Sequence, residues 1–76
     1  MSPEQMKQRL IEAFPGSQVE VTDLTGTEDH YEVFVNSKAL AGLTRIQQHQ
    51  KVMAAFAAEL KSGEVHALSI QTKTGN

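Results

Sequence analysis

Apolar residues at helical spacing open the chain, with Met6, Leu10, Ile11 and Phe14 forming one stripe. Ser2-Pro3-Glu4-Gln5 precedes them as a start signal: Ser at the N-cap, Pro at the first helical position, and Gln three residues on to complete a capping box. Pro15-Gly16 ends this helix, because Pro lacks the N–H and Gly accepts a left-handed exit. The period then changes from helical to alternating. From Gln18 to Leu24, Val19 and Val21 face inward and Glu20 and Thr22 outward. From His30 to Asn36, Tyr31, Val33 and Val35 share one face, and His30, Glu32 and Phe34 the other. Thr25-Gly26-Thr27-Glu28-Asp29 between them is a polar loop of hairpin length, so the two strands are predicted antiparallel.

Ser37 is placed to cap a short helical turn through Leu40 that Gly42 closes. Thr44-Arg45-Ile46-Gln47 is a second capping box and predicts a long helix from Arg45 to about Lys61. Ile46, His49, Met53, Phe56 and Leu60 form its expected inward stripe, and the alanines at 54, 55, 57 and 58 favour helix and close packing on a sheet. Ser62-Gly63 stops it. Val65 to about Thr72 alternates again as a third strand, leaving 73–76 as a frayed tail. The order α-β-β-α-α-β predicts one α+β domain over 1–76 with an ordered core of about 3–72. Its three-stranded sheet would carry helices on one face. The alternation alone does not give the strand order.

Composition narrows the chemistry. Seventy-six residues support a single core, and with no cysteine neither a disulfide nor a thiolate metal site is available. The net charge is −2 and the basic residues are dispersed, unlike the basic stripe of a phosphate-binding protein. No segment approaches a membrane span and Met1-Ser2-Pro3-Glu4 begins no secretion signal, so a cytoplasmic protein is expected. The chain has no cysteine nucleophile, Gly-x-Ser-x-Gly elbow, Walker loop or His-Glu-x-x-His spacing, which argues against an enzyme.

Three histidines are the only nitrogen or sulfur ligands for a transition metal. His66 falls at the start of the third strand. His30 follows the hairpin loop, and His49 lies mid-helix, where a hydrogen-bonded core histidine near the Ala41-Gly42-Leu43 turn is the expectation. Spacing alone favours a packing or capping role for His66, and the plain reading of His30 is a cross-strand or surface histidine.

Two segments change that balance. The helical run Thr44-Arg45-Ile46-Gln47-Gln48-His49-Gln50-Lys51-Val52 and the strand-like run Val65-His66-Ala67-Leu68-Ser69-Ile70, about one helix apart, resemble the BolA family. The resemblance covers nearly the whole chain. It implies a fold like one class of KH domain and a partner, a monothiol glutaredoxin. It further implies a [2Fe–2S] cluster shared with that glutaredoxin and glutathione, with none expected on the isolated chain, which would be a monomer or weak homodimer. His66 matches the family's C-terminal histidine ligand. The family's second ligand lies in the first hairpin loop, where this chain has neither cysteine nor histidine before His30. Three options therefore stand: His30 serves, Asp29 gives an oxygen, or His66 binds alone. Arg45, Lys51 and Gly42 are candidate partner contacts. The alternative from the resemblance is a DNA-binding regulator of stress response and cell morphology, acting through Arg45 and Lys51. Because Gly42 is followed by Leu43, Thr44 and Arg45 rather than a GxxG loop, DNA affinity is expected to be weak.

Overall fold

A computed structural model describes residues 1–24, 26 and 30–75. The elements are α1 (Pro3–Ala13), β1 (Gln18–Asp23), β2 (His30–Asn36), a 3-10 turn (Lys38–Leu40), α2 (Arg45–Ala54), α3 (Ala57–Ser62) and β3 (Ala67–Lys73). Both predicted capping boxes form: Ser2 with Gln5 at the head of α1, and Thr44 with Gln47 at the head of α2. Each satisfies two N–H groups that the first helical turn leaves without intrahelical partners. Ser37 caps the 3-10 turn by accepting from the Ala39 N–H, and Gly42 follows at φ 81°.

The sheet order is β1-β2-β3. β1 and β2 are antiparallel, as the hairpin loop predicts, with Val19 opposite Val35 and Val21 opposite Val33. β3 returns parallel to β2 after the helical crossover, with His30 opposite Ala67 and Val33 opposite Ile70. Met6 and Leu10 of α1 and Phe14 at its C-cap, Tyr31, Val33 and Val35 of β2, and Val52, Phe56 and Val65 meet in one core. Ile11, counted with the α1 stripe, lies at its margin and is 36% exposed.

The long helix expected over 45–61 is two helices. Phe56, at φ −119° and ψ 22°, leaves helical geometry between α2 and α3. The N–H groups of Ala55 and Phe56 bond three residues back, to the carbonyls of Val52 and Met53, tightening the last turn of α2. Alanine propensity on either side is worth tenths of a kcal/mol per residue. Full burial of the Phe56 ring is worth about 1.5–3 kcal/mol, so packing sets the break. Arg9 on α1 compensates it: its Nη1 donates to the Ala55 carbonyl at 3.3 Å, and its guanidinium lies 5.7 Å from the centroid of the Phe56 ring.

Of the expected inward stripe, Phe56 is fully buried and Leu60 packs against the core, but Ile46 and Met53 are 70% and 43% exposed, and Val52, outside that stripe, is fully buried. β3 extends to Lys73, and the Gly75 N–H donates to Asn36 Oδ1 at 3.0 Å.

Candidate functional site

His30 begins β2 and His66 immediately precedes β3, two strands that run parallel as neighbours. Both residues therefore stand at the same end of the sheet, although 36 positions separate them in sequence. Their ring centroids are 6.0 Å apart and the rings are tilted by 52°. His66 is exposed and His30 half-buried. This is the pair that the sequence singled out, brought together by the parallel return of β3.

The approach to His66 is fixed by a short hydrogen-bonded turn. Gly63 ends α3 at φ 83°, a left-handed geometry that glycine adopts without strain. The Glu59 carbonyl accepts from the Val65 N–H at 3.2 Å and from the Ser62 hydroxyl at 3.2 Å, and Ser62 Oγ accepts from the Glu64 N–H at 3.3 Å. Val65 is buried, which anchors the residue before His66 in the core. Glu59 is itself held by an ion pair with Arg9 on α1. The hydrogen bond from Arg9 holds the Glu59 carboxyl below the ordinary range, with burial opposing and the Arg9 charge adding to the effect. On the other side, the His30 carbonyl accepts from the Leu24 N–H at 2.9 Å, closing the hairpin next to the ring.

Two imidazoles on ordered backbone suit a borderline metal such as iron or zinc. Among the described residues no third histidine or carboxylate joins them. Asp29, the oxygen donor considered for the hairpin loop, lies outside the described residues, as do Thr25, Thr27 and Glu28.

His49 does not take the role expected of it. It is half-buried on α2 and, among the described residues, makes no hydrogen bond to the 41–43 turn. The neighbouring Gln48 does that work: its Nε2 donates to the carbonyls of Leu43 at 3.0 Å and Leu40 at 3.4 Å, and its Oε1 accepts from the Thr72 hydroxyl. Gln48 thus ties the loop before α2 to the far end of β3. A signal for it existed in the sequence, since 48, 52 and 56 repeat the four-residue spacing of 6, 10 and 14. Arg45 and Lys51 are exposed on α2 and Gly42 is exposed in the preceding turn. Arg45 and His49 line a cleft with Ile70, Gln71 and Thr72, near the end of β3 opposite His66. The arrangement therefore separates the histidine pair from Arg45.

Comparison with known proteins gives a consistent picture. A family model described as BolA-like protein matches residues 7–76. The Rickettsia prowazekii protein RP812 is 35% identical over 72 residues, covering 95% of this chain and 92% of that one. Human BolA-like protein 1 is 49% identical over 49 residues, which are 64% of this chain and 35% of the human protein. The chain thus matches about a third of that relative's length. Among solved structures, the BolA domain of SufE1 from Arabidopsis thaliana superposes with a TM-score of 0.86 at 28% identity, covering 96% of this chain and 91% of that domain. Yeast Fra2 superposes with a TM-score of 0.78 at 26% identity, covering 97% and 80% of the two chains.

Proposed function

This chain belongs to the BolA-like protein family, and on that premise we propose that it is a non-enzymatic adaptor that docks a monothiol glutaredoxin and co-ligates a shared [2Fe–2S] cluster. His66 is the principal ligand and His30 the second imidazole. The observation that carries this reading is the approach of the two rings to 6.0 Å at one end of the sheet. Exposure of His66 lets a partner reach it, and the turn anchored by Val65 and Glu59 holds it in place. The remaining ligands, following the family resemblance, come from the glutaredoxin cysteine and glutathione. When bound, the cluster supplies one-electron chemistry and transferable iron and sulfide. Imidazole in place of thiolate raises the potential of such a centre. The chain's own contribution is to present two imidazole nitrogen donors, for cluster maturation or iron and redox regulation.

The DNA-binding alternative gains no support of comparable kind. Gly42-Leu43-Thr44-Arg45 offers no GxxG clamp, and the chain is net negative.

The test is to combine the chain anaerobically with a monothiol glutaredoxin, glutathione, iron and sulfide, and to record visible absorption and circular dichroism. The expected result is a spectrum distinct from that of the glutaredoxin homodimer. His66→Ala should abolish it, and His30→Ala should weaken or shift it. An unchanged homodimer spectrum in the presence of the wild-type chain would overturn the proposal.

A further inference from the structure

At the opposite end of β3 from the histidine pair lies a second surface with its own chemistry. β3 is a terminal strand of the sheet, and among the described residues no strand pairs with its outer edge. Along it opens a cleft of about 330 Å³ lined by Ile70, Gln71 and Thr72 of β3 and by Arg45 and His49 of α2. Ile46, next to Arg45, is 70% exposed, and Met53 on the same helix is 43% exposed. An edge strand beside an open cleft and exposed apolar side chains is a ready template for another chain.

Charge selects the occupant. The segment 33–58 contains Lys38, Arg45 and Lys51 and no carboxylate, and β3 adds Lys73, again without a carboxylate. All nine acidic residues lie elsewhere in the chain. Arg45 is also the first residue of α2, whose first turn has no acidic residue. A cation there opposes the helix dipole, so helix stability does not explain its position. A carboxylate arriving in the cleft would meet Arg45.

We infer that the outer edge of β3 and the Arg45–His49 cleft form a docking site for an extended acidic segment of a partner protein, added to the sheet as a fourth strand. Backbone N–H and C=O groups of the incoming strand pair with those of β3. Its carboxylates face Arg45, and an apolar residue packs against Ile70. A nucleic acid satisfies the charge but lacks the alternating donors and acceptors that a strand edge pairs with, which favours a polypeptide. The site is small, so binding is transient in character. It is separate from His66 and does not depend on the cluster reading.

Chemical-shift mapping and amide exchange on the labelled chain test this with a short N-acetylated peptide alternating glutamate and valine. Shifts should concentrate at residues 45–49 and 70–73, and amides of β3 should exchange more slowly with peptide bound. Arg45→Glu should weaken binding about tenfold through like-charge repulsion, with Arg45→Gln intermediate. The glutamate should not unfold the chain, because an acidic residue suits the first turn of a helix. His66→Ala should leave peptide binding unchanged, so this site and the histidine pair succeed or fail separately. Equal binding of a peptide with lysine in place of glutamate would overturn the inference. So would absence of shifts at 45–49 and 70–73, full affinity in Arg45→Glu, or a single-stranded oligothymidylate binding there while the acidic peptide does not.

Discussion

Helices α1 and α2 turn the same positions toward the sheet. Counted from the N-cap, these are the fourth, eighth and twelfth residues: Met6, Leu10 and Phe14 after Ser2, and Gln48, Val52 and Phe56 after Thr44. Both helices begin with the same capping box. They differ at the first inward position. In α1 it is a fully buried methionine; in α2 it is a glutamine that bonds two loop carbonyls and a threonine of β3. α1 is held down along its inward stripe by apolar area, with Arg9 as a polar tie at its flank. α2 is fastened at one end by a polar latch and at the other by Phe56, which leaves Ile46 and Met53 facing outward. A helix secured in that way can keep an apolar outer surface for another use.

The largest test of this contrast is a pair of truncations. Leu10→Ala removes a fully buried side chain of α1 and should cost about 2–5 kcal/mol. Small domains of this length have total stabilities of only ~4–11 kcal/mol, so the variant should sit near the edge of folding. Met53→Ala, on the outward face of α2, should stay within about 0.5 kcal/mol of the parent. Urea unfolding measures both. Comparable losses in the two variants would mean that Met53 packs inward and that the contrast between the helices is mistaken.

A smaller effect separates two adjacent side chains. Gln48→Ala leaves the Leu43 carbonyl and the Thr72 hydroxyl without the Gln48 bond and the Leu40 carbonyl with only the Leu43 N–H, at a cost of about 1–3 kcal/mol. His49→Ala removes no hydrogen bond within the described residues and should change stability by less than about 0.5 kcal/mol. The same thermal melts that rank these variants locate the latch. A destabilisation larger in His49→Ala than in Gln48→Ala would return the capping role to the histidine.

These residues also show where the sequence was readable. Both capping boxes, the alternation of β1 and β2, the hairpin and the stop at Gly63 follow from local rules, and each formed at the expected residues. The break at Phe56 was not legible, because the alanines around it favour continuous helix and only the shape of the core demands otherwise. The phase of α2 is not legible from apolar positions alone, because its first inward residue is a glutamine. Ile46, His49 and Met53 then fit helical spacing equally well while pointing elsewhere. His66 and His30 were identifiable as candidates, since few residue types ligate metals and a family resemblance singled out these positions. Their proximity was not, because it depends on β3 returning parallel to β2, and alternation carries no information about direction. The roles of Arg9 and Glu59 in supporting the turn before His66 were equally hidden. They join residues 50 positions apart through a break in the helix that the sequence does not announce.

Arg9 supplies the finest test, because it is where the two helical regions touch. Its hydrogen bond holds the Glu59 carboxyl below the ordinary range, so the unfolded chain binds that proton more readily than the folded one. The resulting stabilisation is complete above the unfolded carboxyl's pKa and is lost as pH falls through the lower, folded value. Thermal stability should therefore fall less steeply with acidification in Glu59→Gln than in the parent. At neutral pH that variant should lose only a modest part of its stability, because the pair is partly open to solvent. Arg9→Gln should lose more at neutral pH. It gives up the ion pair, the bond to the Ala55 carbonyl at the break and the approach to the Phe56 ring. Parallel acid limbs for parent and Glu59→Gln would show that the ion pair fastens nothing. The contribution of Arg9 would then rest on its bond to the Ala55 carbonyl and its approach to the Phe56 ring.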